Sequence, residues 1–238
     1  MSRTRNLSTG SLAEHFLHLA VPAGIGMLFT TLYNVVDVFF AGLIGTDAQA
    51  GLAISSQAFF IFITFGFGLS AAMTALVGNA IGARDDSAAC QIAVRGIGFG
   101  LLISALLIVV AVWLGPLLIK LVSTEGAYRE AGTRYFMVLL VAIPSFVMSF
   151  GINGLLQSQG DTVSMQRAQI GAFFANIGLN PLLVFGLPGV WGGMGFDGIA
   201  VATVISQTGV MIYVSRQLFR TELMAGRQLT DLRPRLTT

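Results

Sequence analysis

The sequence predicts an all-α, polytopic membrane protein with six transmembrane helices. Three observations carry that reading. Of its 238 residues, 55% are hydrophobic and only 10% are charged, against roughly 25% charged in an ordinary globular domain. Mean hydropathy is +0.80. Apolar runs of about 20 residues or more, long enough to cross ~30 Å of hydrocarbon, follow one another with short interruptions. Helices are the form expected, because open strands leave backbone groups unpaired in lipid and no alternating barrel pattern is present.

The first run, 16–44, follows Arg3 and Arg5. A basic start also suits a secretory signal, and Ala48-Gln49-Ala50 resembles a cleavage site. The run is about two to three times too long for a signal h-region and contains Asp37, so it is expected to remain as the first helix. Runs 52–80 and 92–119 are, like the first, long enough to tilt or project beyond the core, whereas 135–158, 167–187 and 198–218 are near the minimum. Turn residues separate them at Gly45-Thr46-Asp47, Ala83 to Ser87, Gly160-Asp161-Thr162 and Pro188 to Gly195. Ser123 to Glu130 reads as a short helix on the outer surface, since its charges and Tyr128 suit an interface. From Arg220 the apolar periodicity stops. The organisation expected is an N-tail over 1–14, a six-helix lobe over 15–219 and a tail or linker over 220–238.

Of 13 Lys and Arg residues, only Lys120, Arg129 and Arg134 flank one side of the six spans. The positive-inside rule then puts both termini in the cytoplasm of a cell-membrane protein. The net charge of +2 reflects this topology rather than a nucleic-acid surface. Cys90 is the single cysteine and forms no internal disulfide. Gly78 and Gly82, like Gly96 and Gly100, are small residues four apart that allow close helix packing; neither pair has the strand and turn of a nucleotide loop. Asn6-Leu7-Ser8 matches a glycosylation triplet on the inferred cytoplasmic side, and His15 and His18 read as interfacial residues. No catalytic residue is assigned, and the chain is read as a non-enzyme without a cofactor.

Asp37 is the one carboxylate within the apolar core of any span. An ionisable group in hydrocarbon costs several kcal/mol, so it marks an ion or proton site with partners nearby. Tyr33 and Asn34 stand four and three residues before it, at helical-neighbour spacing. Asn176 and Asn180 are again four apart. By helical rise, Asn180 stands ~20 Å above Arg167, Thr203 ~20 Å above Arg216, and Asp37 ~27 Å above Leu19. These side chains are therefore expected to meet in the outer half of one bundle. Asn153 lies only ~12 Å above Asp161 and joins them less readily.

Pro22, Tyr33-Asn34-Val35-Val36-Asp37 and Gly42 to Thr46 resemble the first helix of the multidrug and toxic compound extrusion (MATE) transporters. The resemblance continues through Gly82-Ala83, Gly160-Asp161-Thr162, Asn176 to Gly186 and Gly195 to Thr203, covering nearly all of 15–218 in order. It implies one lobe, the N-terminal one, of a transporter with two six-helix lobes. It further implies that Asp37 is the cation-responsive acid, that Tyr33, Asn176, Asn180, Thr203 and Asn153 surround it, and that Pro22 permits bending of the first helix. Pro22 frees the carbonyl of His18, which makes a bend inexpensive there. One departure stands out: this chain has Leu179-Asn180-Pro181 where related members usually have Leu-Asp-Pro. Na⁺ remains a candidate at Asp37, Asn176, Asn180 and Thr203, but a single carboxylate suits H⁺, since protonation removes the charge penalty of burial.

The function implied is export of drugs or organic cations in exchange for H⁺ or Na⁺. The partners implied are a small-molecule substrate, membrane lipid, and a second six-helix lobe or a second copy of the chain. The alternatives are a non-transporting fragment or membrane interaction subunit, and a flippase for lipid-linked substrates.

Overall fold

The fold was obtained as a computed structural model, which describes residues 12–187 and 189–224. Helix α1 spans Leu12–Ile44, α2 Thr46–Gly82 and α3 Asp86–Val122. Helix α4, Ala127–Leu139, passes through a 3₁₀ turn at Leu140–Ala142 into α5, Ile143–Ser158; α6 is Ser164–Phe185 and α7 Phe196–Leu218. With α4 and α5 taken as one crossing, the described residues form six spans long and apolar enough for a membrane. The protein is a multi-pass membrane protein.

The break in the fourth span has a covalent cause. Pro144 stands in the first turn of α5 and cannot donate to the carbonyl of Leu140, so the ladder tightens into the 3₁₀ turn just before it. Contrary to the expectation of a separate surface helix at Ser123 to Glu130, α4 begins at Ala127 and forms the first part of the fourth span, up to Leu139. The residues before it are pinned by side chains: Arg129 Nη2 donates to the Ser123 carbonyl at 2.6 Å, and Thr124 N–H donates to the Tyr128 hydroxyl at 2.7 Å. Partners four and six residues further on hold this segment without a helix of its own.

The first two connections are shorter than the turn residues suggested, and the last two are longer. Between α1 and α2 only Gly45 is non-helical, at φ 153°, a conformation that side chains rarely adopt. Asp161 caps α6 by accepting from the N–H groups of Val163 and Ser164, each at 3.0 Å. After α6 the chain folds back on itself. Met194 N–H reaches the Leu183 carbonyl at 2.7 Å and Gly195 N–H the Val184 carbonyl at 3.0 Å, satisfying carbonyls that a helix end leaves free.

Helix α2 is the scaffold of the lobe and packs against α3, α4 and α5. Glycine makes this possible where backbones touch: a Cβ on Gly154 of α5 would lie 2.3 Å from the Ser70 carbonyl of α2. Thr74 Oγ1 donates across the same contact to the Gly154 carbonyl at 3.2 Å. Gly96 and Gly100 accommodate the side chains of Met73, Leu69 and Met148 rather than a neighbouring backbone, and Gly82 faces open space. Gly154→Ala is expected to force α2 and α5 apart and destabilise the lobe by about 1–3 kcal/mol, whereas Gly209, with nothing within 4 Å of its would-be Cβ, tolerates Ala. Thermal unfolding of both variants in detergent checks this; equal midpoints would refute the close-contact account.

Helix α1 sits at the edge and packs mainly on α6, with α2 and α7 beside it. Among the residues of α1 whose burial is described, the buried ones are Tyr33, Asp37 and Ala41, a single stripe at four-residue spacing. That stripe positions the site.

Candidate functional site

Three helical stripes converge. Ala172, Asn176, Asn180 and Val184 are the buried residues in the middle and upper part of α6, repeating every four residues as on α1. On α7 the inward positions include Ile199, Thr203, Ser206 and Val210. Because α1 lies against both helices, the polar member of each stripe meets at one level.

The carboxylate of Asp37 is the hub. Its Oδ1 accepts from Asn176 Nδ2 at 3.0 Å and from Asn180 Nδ2 at 2.9 Å, and its Oδ2 accepts from Thr203 Oγ1 at 3.2 Å. Asn180 Nδ2 also donates to Asn176 Oδ1 at 3.0 Å. Both Asn side chains are fully enclosed and Asp37 is 6% exposed. Three neutral donors therefore replace water around a buried anion, each contributing more than a neutral pair would because one partner is charged. Among the described residues no cation pairs with Asp37, and no cluster of three His, Cys, Asp or Glu side chains exists to hold a metal.

Two polar atoms in this cluster are buried without a hydrogen-bond partner: the Tyr33 hydroxyl and Asn180 Oδ1. Tyr33 sits one turn from Asp37 on the same stripe. Proline explains part of the local geometry on α6. Pro181 lies within the helix and removes the hydrogen bond to the Ile177 carbonyl, between the two Asn positions.

The remaining residues singled out from the sequence sit apart. Asn34 is exposed and donates back to the Thr30 carbonyl at 3.1 Å, so it does not share the face of Tyr33 and Asp37. At roughly 100° per residue it lies ~60° from Asp37 on the side opposite Tyr33, which takes it out of the packed stripe. Asn153 is half-buried on α5 and makes no hydrogen bond to the cluster. Pro22 stands within α1, whose backbone stays helical through it. One neighbour escaped the sequence reading: Tyr135 of α4, 2% exposed, stacks on Phe196 with ring centroids 4.8 Å apart and lies beside Thr203. A lone tyrosine at the head of the fourth span was the available signal.

Comparison with known proteins gives a consistent picture. A family model described as MatE matches residues 22–182. The chain is 26% identical over 207 residues to the "Probable multidrug resistance protein NorM" of Thermotoga maritima, covering 85% of this chain and 44% of that protein. It is 27% identical over 210 residues to the "FAD transporter" of Shewanella oneidensis, covering 87% and 45%. The solved structure of a MOP superfamily transporter from Pyrococcus furiosus superposes with a TM-score of 0.80 at 25% identity, covering 92% of this chain and 48% of that one. The chain spans about half the length of the curated relatives it matches.

Proposed function

Because this chain belongs to the MatE family, we propose that it is the cation-coupled lobe of a secondary active transporter that exports drugs or organic cations in exchange for H⁺. The observation that carries this is the reception of one membrane-buried carboxylate, Asp37, by Asn176, Asn180 and Thr203 from two other helices. An acid so placed costs the fold free energy, and a role for its ionisation accounts for that cost. Substrate in such transporters is held at the interface of two repeats, and this chain supplies one. A second six-helix lobe or a second copy completes the assembly.

The arrangement of donors supports H⁺ as the coupling ion. Both Asn side chains donate N–H to Asp37, an arrangement that suits its anion. Thr203 is the flexible member, since a hydroxyl donates to the carboxylate and equally accepts from a carboxylic acid. The cluster thus holds Asp37 in either protonation state without moving its heavy atoms. Tyr33, Asn34 and Asn153 are assigned to the cavity wall and Pro22 to the hinge of α1. Na⁺ is the second reading, favoured by the orphaned Asn180 Oδ1: rotation of that amide would offer an oxygen to a hard cation beside Asp37.

The test is transport of a fluorescent organic cation in proteoliposomes that hold the chain alone or with a second lobe, under an imposed H⁺ or Na⁺ gradient. Movement driven by the H⁺ gradient in either assembly supports the reading; no gradient-driven movement in both overturns it. The cytoplasmic placement of both termini is a further expectation. Single cysteines introduced near Ser2 and Thr238 should resist membrane-impermeant labelling in intact cells and react after permeabilisation, and labelling of either from outside would reverse the topology.

A further inference from the structure

Away from the Asp37 cluster, a groove of about 820 Å³ runs between α2 and α3. Phe65, Leu76, Phe99 and Ile103 form its walls, Met73 lies across Gly96 at its floor, and Arg95 is its one charged lining residue. On α2 it extends from Thr64 to Leu76, a rise of ~18 Å. One leaflet of a ~30 Å hydrocarbon core is ~15 Å deep. The groove therefore has the length of a single acyl chain.

Depth places Arg95 at the right level. Helix α3 has 37 residues and rises ~56 Å, so a ~30 Å core centred on it leaves ~13 Å at each end. Arg95 stands ~14 Å from the start of α3, at the hydrocarbon boundary nearest the α2–α3 turn. Helical side chains tilt towards the helix N-terminus, which leads its guanidinium towards the headgroups. Among the described residues the only ion pair joins Arg129 to Glu125, so Arg95 has no carboxylate partner there.

We propose that this groove binds an anionic phospholipid, with the phosphate on Arg95 and one acyl chain laid between Phe65, Phe99 and Ile103. An apolar protein face covering the same groove would bury the Arg95 charge unpaired, at a cost of several kcal/mol. A phosphate instead meets the guanidinium with charge-assisted hydrogen bonds.

Native mass spectrometry of the full chain, titrated with phosphatidylglycerol and with phosphatidylcholine of the same acyl chains, tests the site. Phosphatidylglycerol is expected to bind roughly five- to tenfold more tightly. Arg95→Gln should erase that preference and leave weak, equal binding of both lipids. Gly68 also lines the groove, and a Cβ there meets nothing within 4 Å, so Gly68→Leu starts its side chain into the open groove and should weaken both lipids. An unchanged preference in Arg95→Gln, or undiminished binding in Gly68→Leu, overturns the proposal. So does a second copy that excludes lipid, seen as a dimer mass. Should Arg95→Gln fail to fold, Gly68→Leu decides alone.

Discussion

Asp37→Asn is expected to reduce H⁺-driven export by the assembled transporter at least about a hundredfold, which corresponds to ~2.7 kcal/mol, while leaving insertion and folding intact. The amide is nearly isosteric with the acid, and its oxygen accepts from Asn176 and Asn180 as Oδ1 does now. Its –NH₂ then donates to Thr203 Oγ1, which reverses its role as hydroxyls can. The hydrogen bonds survive; the titratable proton does not. Asp37→Ala provides the contrast, because it strands the Asn176 Nδ2 donor in a dry interior at about 1–3 kcal/mol and leaves Asn180 Nδ2 only its bond to Asn176 Oδ1, and so should lose thermal stability as well as transport. Initial rates in proteoliposomes, with unfolding midpoints in detergent, separate the two effects. A well-folded Asp37→Asn protein that exports at the wild-type rate with wild-type pH dependence would remove Asp37 from the coupling step.

The second large effect is expected at Asn180. Its Nδ2 is shared between Asp37 Oδ1 and Asn176 Oδ1, so Asn180→Asp replaces a double donor by an acceptor and sets two carboxylates within hydrogen-bond distance. Like charges that close cannot both ionise without a cation between them. Na⁺, a hard cation that prefers several oxygens, then gains charge and ligands together. Na⁺ binding at fixed pH is expected to tighten at least about tenfold, or ~1.4 kcal/mol, with transport shifting towards Na⁺ dependence. Isothermal titration at two pH values checks this. Tight Na⁺ binding by the wild type, unimproved in the variant, would contradict H⁺ coupling.

Much of this was legible in the sequence because bilayers impose few solutions. The length of apolar runs fixes the spans, and the one carboxylate among them is the centre of the hydrogen-bonded cluster. The depth comparison that brought Asp37, Asn176, Asn180 and Thr203 to one level needed only 1.5 Å of rise per residue and a common membrane frame. Rotation about each helix axis was less legible. Asn34 lies three residues from Asp37, yet the packing of α1 on α6 turns it outward, and no sequence pattern on α1 says where its neighbours stand. Backbone detail was also hidden. The 3₁₀ turn before Pro144 and the direct entry of Ala127 into the fourth span depend on which carbonyls and side chains find partners. Tyr135 was missed because its role comes from stacking on Phe196, 61 positions later in the chain.

The single-residue junction at Gly45 bears on how the protein is made. Two spans joined by one residue offer no slack for the first to settle in the bilayer before the second arrives. Helices α1 and α2 are therefore expected to leave the insertion machinery together, as a helical hairpin. Asp37 then meets lipid only in the company of a strongly apolar neighbour, and is sheltered by it until α6 and α7 emerge with the Asn and Thr side chains that receive its charge.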